Sequence, residues 1–271
     1  MTVVDPGQAA GWAGTARLEP GMLSFAGRLG GTAAHAHAAV QVVTLTAGTV
    51  VFRDRYGGRQ RAAAAIIPAG VVHAVEAPNP VDGQAYGTTC YLDPAGRAAA
   101  AVAARVRAAG DRHQVSAWIA AAADTSADQL LVMSHDLGAQ VTRAGLHPAV
   151  AAVLASASQR PPDPGGPALP ASLTEAATAV GLSATRLGHL FTEQLGLPYT
   201  AWRRWVRLQH AMAAVQEGAT LTHAAHAAGF TDSAHLTRVC RAMFGITPTQ
   251  AARAAGWHPH RRRQWPGQQL R

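Results

Sequence analysis

Apolar and polar positions follow two regimes along the chain. From about residue 21 to residue 92, short apolar runs alternate with Gly and Pro signals, at 40–46, 49–53, 63–68, 71–76 and 88–92. Evenly spaced short strands of this kind predict an antiparallel sandwich or barrel. After Asp93-Pro94 the period becomes helical. Residues 97–109 are Ala-rich around Val102 and Val106, and 113–123 and 126–137 follow, anchored by Trp118, Ile119, Leu130, Leu131 and Met133. Residues 147–157 predict a further helix. These connector helices fit a cap on the barrel or a dimer interface equally well. Residues 1–20 show no period and read as a loosely docked arm. Residues 160–167 break all periodicity, and their density of Pro and Gly predicts an exposed, partly stiff linker.

The strongest pattern lies between residues 172 and 248, where one helical pattern occurs twice. Leu173-Thr174-Glu175-Ala176-Ala177-Thr178-Ala179-Val180-Gly181 returns 48 residues later as Leu221-Thr222-His223-Ala224-Ala225-His226-Ala227-Ala228-Gly229. After a one-residue insertion the match resumes at an offset of 49, pairing Leu187 with Leu236 and Gly196 with Gly245. Such a repeat outranks other signals. Each copy predicts a helix, a glycine turn and a capped second helix. Ser172 with Glu175 makes a capping box. Gly181 and Gly229 stand where a left-handed residue ends the first helix. Ser183 and Asp232 cap the second.

The second helix of each copy has one apolar face, Leu187, Leu190 and Phe191 in the first, Leu236, Val239, Cys240, Met243 and Phe244 in the second. The opposite stripe is polar and free of carboxylates near its start. An Ala-rich helix pair alone would fit a plain bundle. Two copies in register, with the same turns and caps, favour DNA. The expected contacts are Thr185, Arg186 and His189 from the first copy, and Ser233, Thr237, Arg238 and Arg241 from the second. Arg grips guanine with paired hydrogen bonds or clamps a phosphate. Arg238 is expected nearest the base edges, with Arg241 and Arg186 on phosphates. The second copy is expected to discriminate bases more strongly, because the first carries Gly188 and His189 where longer donors would reach further.

The stretch Ala224-Ala225-His226-Ala227-Ala228-Gly229-Phe230-Thr231-Asp232-Ser233-Ala234-His235-Leu236-Thr237-Arg238, with Met243-Phe244-Gly245-Ile246-Thr247-Pro248 after it, resembles the second motif of the AraC/XylS family of bacterial transcription regulators. The resemblance covers about residues 172–250. It departs from the family at Cys240, where an aromatic is common. It implies two helix-turn-helix motifs joined by a long helix, here 199–216 with Trp202, Trp205, Val206, Leu208 and Met212. Eighteen residues at ~1.5 Å each span ~27 Å, close to the ~34 Å repeat of B-DNA. Both recognition helices could then enter successive major grooves, with some bending of the duplex. The resemblance also implies a cytoplasmic, non-enzymatic regulator whose partner is double-stranded DNA. RNA polymerase and a second copy of the chain are further candidate partners.

Charge agrees with that reading. The net charge is +8. From residue 172 onward there are 11 Arg against 4 acids, and before it 12 against 11, so the basicity sits with the repeated motifs. There is no Lys, and the abundance of Arg and Ala fits a high-GC genome, so part of the Arg count is compositional. Cys90 and Cys240 fall in different expected domains, which suits a reducing compartment. No signal peptide or membrane span is expected. The tail 256–271 holds Arg261, Arg262 and Arg263. It is either a solvated end or a source of salt-sensitive phosphate contacts.

A second constellation lies among the strands. His35 and His37 share parity and so one face of an extended chain, and Gln41 keeps that parity. Pro68-Ala69-Gly70-Val71-Val72-His73 leads a third His out of a tight turn. These residues resemble the cupin double motif over about 60 residues, with Gln41 where that motif has a carboxylate and Ala62 where it has a Gly. The resemblance implies a β-barrel sensor. His35, His37 and His73, completed by Gln41 or water, are candidates for a divalent metal, since imidazoles suit zinc, nickel, copper or iron. Neutral His lining an organic effector pocket is the other reading, because a closed barrel can hold one small ligand. No cofactor is certain.

The expected architecture is α+β in two domains. A cupin-like β-barrel sensor occupies 1–95, a helical connector that could dimerise 96–158, a Pro/Gly linker 159–170, a double helix-turn-helix domain 171–255 and a basic tail 256–271. The expected function is a sequence-specific transcription regulator sensing a small molecule or metal. The alternative is a cupin-type metal-dependent enzyme with an accessory helical domain, against which Gln41 counts.

Overall fold

Short apolar runs with Gly and Pro between them become eight antiparallel strands: β1 Ala13–Glu19, β2 Met22–Leu29, β3 Val40–Ala47, β4 Val50–Asp54, β5 Arg59–Ala62, β6 Ala64–Ile67, β7 His73–Glu76 and β8 Ala85–Leu92. The computed structural model describes residues 11–19, 21–77, 83–123, 145–157 and 172–257. The expected helix at 126–137, the linker at 159–170 and the Arg261–Arg263 run lie outside the described residues. The strands form a five-stranded sheet in the order β1-β2-β8-β3-β6 and a three-stranded sheet in the order β5-β4-β7. β3 lies between β8 and β6 and is buried from Val40 to Leu45. Its β-branched residues suit a strand covered on both faces.

The expectation of a loose arm fails over part of its length. Ala13–Glu19 is a strand paired along its whole length with β2, from Ala13 opposite Arg28 to Glu19 opposite Met22. Its alternation is real, but the half-buried positions are Gly14, Ala16 and Leu18, too small to mark a core face. Gly14, Gly27 and Gly87 align across β1, β2 and β8. A Cβ on Gly87 would lie 2.1 Å from the Thr44 carbonyl oxygen, so glycine lets the backbones approach there.

Helices cover the ends of the sheets. α1 is Arg97–Ala109 and α2 is Val115–Ala123. Asp54, at the end of β4, fastens α2 to the sheet. One carboxylate oxygen accepts from the Tyr56 and Gly58 amides at 2.9 and 2.8 Å, and the other from the Val115 amide at 3.0 Å. Trp118 is fully buried on α2, and its indole donates to the Arg112 carbonyl at 2.8 Å. Next come α3 Pro148–Ala157, α4 Leu173–Ala179, α5 Ala184–Leu195, α6 Tyr199–Gln216, α7 Leu221–Ala227, α8 Ser233–Phe244 and α9 Pro248–Ala254. α9 has no counterpart among the expected helices. It is announced by Thr247 and Gln250, which form a capping box, with Pro248 at its first position.

The spacer α6 buries Tyr199, Trp202, Trp205, Val206, Leu208, Ala211, Met212 and Val215. This is wider than one stripe, because the helix packs against both repeated motifs and the sheet. Tyr91 on β8 meets Phe244 of α8 edge-to-face at 5.0 Å, and Trp205 of α6 at 6.5 Å. A single hydrophobic core therefore runs from the sheets into the helix-turn-helix unit.

Candidate nucleic-acid interface and histidine cluster

The two repeats fold alike down to individual hydrogen bonds. In the first, the Ser172 hydroxyl accepts from the Glu175 amide and the Glu175 carboxylate accepts from the Ser172 amide. In the second, Thr220 plays the cap, accepting from the His223 amide. Gly181 and Gly229 have φ of 68° and 76°. The residue after each returns its amide to the first helix, Leu182 to Ala177 at 2.9 Å and Phe230 to Ala225 at 2.8 Å. Ser183 and Asp232 then cap α5 and α8 through the amides of Arg186 and His235. The amide of His235 also holds the Asp232 carboxyl below the usual carboxylate range.

The expected contact residues lie largely on the open side. Thr185, Arg186 and His189 on α5 are exposed, as are Arg238 and Arg241 on α8. Ser233 and Thr237 are half-buried, and the Thr237 hydroxyl donates to the Ser233 carbonyl at 2.8 Å. Thr237 thus spends its proton within its own helix. The apolar sides of both helices face the core as expected, with Leu187, Leu190, Phe191 and Leu195 buried on α5 and Leu236, Val239, Cys240, Met243 and Phe244 on α8. Arg204 of α6, which sequence reasoning passed over, lines the same recess as Arg238 and His235. Its position on the outer side of an 18-residue helix was the available signal.

The histidine cluster forms on the sheet side. His35 and His37 come from the segment before β3, His73 opens β7 and Gln41 lies on β3. All four are buried. One ring nitrogen of each imidazole lies within 4.8 Å of the others'. Each Nδ1 is bound to a backbone carbonyl: His35 to Ala33 at 2.8 Å, His37 to Ala39 at 2.7 Å and His73 to Val71 at 2.9 Å. A carbonyl only accepts, so each Nδ1 carries the proton and each Nε2 presents a lone pair. Burial lowers all three imidazole pKa values, that of His35 to about 3, so the rings are neutral.

Gln41 completes the set. Its Nε2 donates to the Thr89 hydroxyl at 2.9 Å and to the Tyr91 hydroxyl at 3.3 Å. Its Oε1 then lies 3.1 Å from Nε2 of both His37 and His73. Those are acceptors facing acceptors. The His35 Nε2 is buried with no hydrogen-bond partner. A half-turn of the Gln41 amide would let it donate to His37 and His73 and accept from the two hydroxyls, but His35 would stay unsatisfied. In the orientation described, Gln41 Oε1 faces the Nε2 atoms of His37 and His73 with no proton between them, and a ring nitrogen of His35 lies within 4.8 Å of theirs. That set fits a divalent cation, with the Nδ1–carbonyl bonds orienting the imidazoles.

Comparison with known proteins supports the first of these sites. A family described as a helix-turn-helix domain matches residues 176–254. This is a helix-turn-helix domain of the AraC type. A domain of this type supports a role in DNA binding and transcription regulation. No curated protein matches the sequence. Among solved structures, ToxT from Vibrio cholerae O395 shares 8% identity, with 88% of this chain and 99% of that one covered at a TM-score of 0.50. Wild-type ToxT from V. cholerae strain SCE256, bound to an unsaturated fatty acid, gives 8%, 87%, 96% and 0.50. An AraC-type regulator from Chromobacterium violaceum shares 25% identity over 42% of this chain and 97% of that one, at a TM-score of 0.36. The ToxT likeness is one of fold, and it spans the sheet domain as well as the AraC-type domain. Among the described residues, no helix is long and apolar enough to cross a membrane.

Proposed function

We propose that the AraC-type domain reads duplex DNA through Thr185, Arg186 and His189 on α5 and Ser233, Thr237, Arg238 and Arg241 on α8, and that the sheet domain senses a divalent cation at His35, His37, His73 and Gln41. The observation that carries the DNA reading is the repeated cap-and-turn geometry with its polar stripe outward. Arg238 lies at the middle of α8, opposite the buried Leu236 and Val239, and is the side chain best placed for base edges. Arg241 and Arg186 serve as phosphate contacts.

The cation reading rests on three buried neutral imidazoles with a nitrogen of each within 4.8 Å of the others', and on the Gln41 amide oxygen facing Nε2 of His37 and His73. Imidazole and amide ligands suit Zn²⁺ among others. The unsaturated fatty acid bound to ToxT suggests another kind of effector, and an apolar cavity of about 70 Å³ does lie between the sheet and α6, α8 and α9. Its lining includes Trp12, Phe25, Tyr91 and Phe244 but no charged side chain to hold a carboxylate. The cation site is therefore favoured.

One experiment tests both parts. Duplexes are selected from a random pool by the chelator-treated protein, with and without added Zn²⁺. A defined sequence should emerge. Arg238→Ala should then weaken binding to it by ~1–3 kcal/mol, or ~5–150-fold, and relax one base position. Equal weakening on selected and random duplex overturns the assignment of Arg238. In parallel, metal analysis should find one Zn²⁺ per chain in the native protein and a large loss in His73→Ala. Equal Zn²⁺ uptake by both proteins would remove the cluster as the site.

A further inference from the structure

The β4–β5 hairpin concentrates positive charge on the sheet domain. Four of the 12 arginines before residue 172, Arg53, Arg55, Arg59 and Arg61, fall within nine residues. A purely compositional excess of Arg would scatter them. Phe52 and Asp54 are buried, so the odd-numbered positions of β4 face outward. Arg53 stands directly opposite Arg59, and Arg61 follows on the same face. All four arginines are exposed. Like charges set opposite each other destabilise a sheet. Glu76 of β7 lies on this face too, opposite Val51, and Arg59 reaches across β4 to pair with it. Among the described residues, Arg53 and Arg55 have no such ion pair.

The apex of the hairpin is held in shape. The Asp54 carboxylate that fastens α2 also takes the Tyr56 and Gly58 amides, and the Asp54 amide donates to the Gly58 carbonyl at 2.9 Å. Gly57 supplies the left-handed residue, with φ of 87°. Arg55 and Tyr56 are thereby presented at the tip, Tyr56 63% exposed with the Arg55 guanidinium 5.5 Å from its ring centre. Arg and Tyr side chains are both donors that phosphate oxygens accept.

Position selects which phosphates. The sheet domain adjoins the reading side of α8, because Ala36, His37 and Ala38 wall the recess that holds Arg204, His235 and Arg238. From there to the hairpin the backbones are in contact one after another. The Ala36 amide donates to the Ala242 carbonyl of α8, His35 bridges to His73, and His73 pairs with Asp54. At ~5 Å for each neighbouring backbone and ~3.8 Å from one residue to the next, the base of the hairpin lies no more than about 20 Å from α8. That is about six base-pair steps of ~3.4 Å.

We propose that the β4–β5 hairpin is a further DNA contact, in which Arg53, Arg55, Tyr56 and Arg61 grip phosphates flanking the site read by α8. The proposal rests on the reading of the AraC-type domain as a duplex-binding unit. The charge on this face is then opposed by the DNA backbone, which relieves the repulsion between Arg53 and Arg59. Phosphates carry no base identity, so the contact adds affinity and footprint without adding sequence preference.

The test uses the full chain and the selected duplex in two lengths, the bare site and the site extended by about ten base pairs at each end. Affinity is followed by anisotropy between ~50 and ~200 mM salt, where each phosphate contact contributes ~0.9 to the slope of log affinity against log salt. On the extended duplex, Arg53→Gln, Arg55→Gln and Arg61→Gln combined should lower that slope by about two to three. The triple variant should weaken selected and random extended duplexes by the same factor, and should match the native protein on the bare site. Glu76→Gln, which releases Arg59, should act in the opposite direction and steepen the slope by up to about one. Circular dichroism verifies that each variant is folded, and if the triple variant is not, Glu76→Gln decides alone, an unchanged slope overturning the proposal. Equal slopes for native and triple variant on the extended duplex overturn the hairpin contact and leave the assignments on α5 and α8 standing, with an acidic protein surface as the partner left for the hairpin. An equal loss on the bare site also overturns it. A native chain without affinity for duplex DNA removes the reading of the AraC-type domain, and this contact with it.

Discussion

Trp205→Ala should destabilise the protein by about 3–5 kcal/mol, the usual loss for a large aromatic truncated in a core. Trp205 is fully buried at the middle of α6. Its ring lies 6.5 Å from Tyr91 on the sheet side and 5.9 Å from Phe244 on α8. It therefore joins three parts of the fold, the sheet, the spacer and the second recognition helix. Removing it opens a cavity in a region with no loop to collapse into. Against a typical total stability of ~5–15 kcal/mol, this loss is large. Thermal unfolding followed by circular dichroism should show a fall in Tm of about 10 °C. DNA affinity should fall alike on selected and random duplex, unlike the effect of Arg238→Ala. Trp205→Phe should recover most of the loss. An alanine variant less than about 1 kcal/mol below the native protein would mean that the spacer is not the structural axis.

Acid should destabilise the metal-free protein progressively from about pH 6.5 downward. Burial, with His37 close by, lowers the His35 pKa from 6.5 to about 3, while the bond to the Ala33 carbonyl acts weakly in the other direction. The unfolded chain takes up that proton below about pH 6.5, and the folded chain does not until about pH 3. Stability therefore falls as pH drops through this window. By pH 4.5 His35 alone should remove on the order of 3 kcal/mol. His37 and His73 are lowered for the same reason, burial, and add to the loss with the same sign. Urea unfolding at pH 7.5, 6, 5 and 4.5 measures it. His35→Gln should flatten the slope. A stability unchanged between pH 6.5 and 4.5 would show that the imidazoles are not buried as neutral rings.

What could be read from sequence was local. Ser172 with Glu175, the turns at Gly181 and Gly229, and the caps at Ser183 and Asp232 each act within a few residues, and they form as the repeat predicts. His35, His37, Gln41 and His73 were legible as a set through the spacing of the cupin double motif, although His35 and His37 precede β3 and only Gln41 and His73 lie on strands. Their second layer was not. Thr89 and Tyr91 orient Gln41 from 48 and 50 residues away, and nothing near them marks that role. β1 escaped notice because its half-buried positions are Gly14, Ala16 and Leu18. The bond from Ala36 to Ala242 joins two alanine backbones, and a main-chain contact leaves no trace in side-chain chemistry.

The side-chain amide at Gln41 bears on whether the cluster can work as a sensor. A carboxylate there would stand unpaired and charged whenever an ion departed, and an emptied pocket would then strain the sheet domain. An amide can rotate and donate its own protons to two of the neighbouring rings, so vacancy becomes a tolerable resting form. If the cluster takes the proposed cation, filling and emptying would then track the free ion concentration, as a gauge must, instead of locking a permanent structural ion in place.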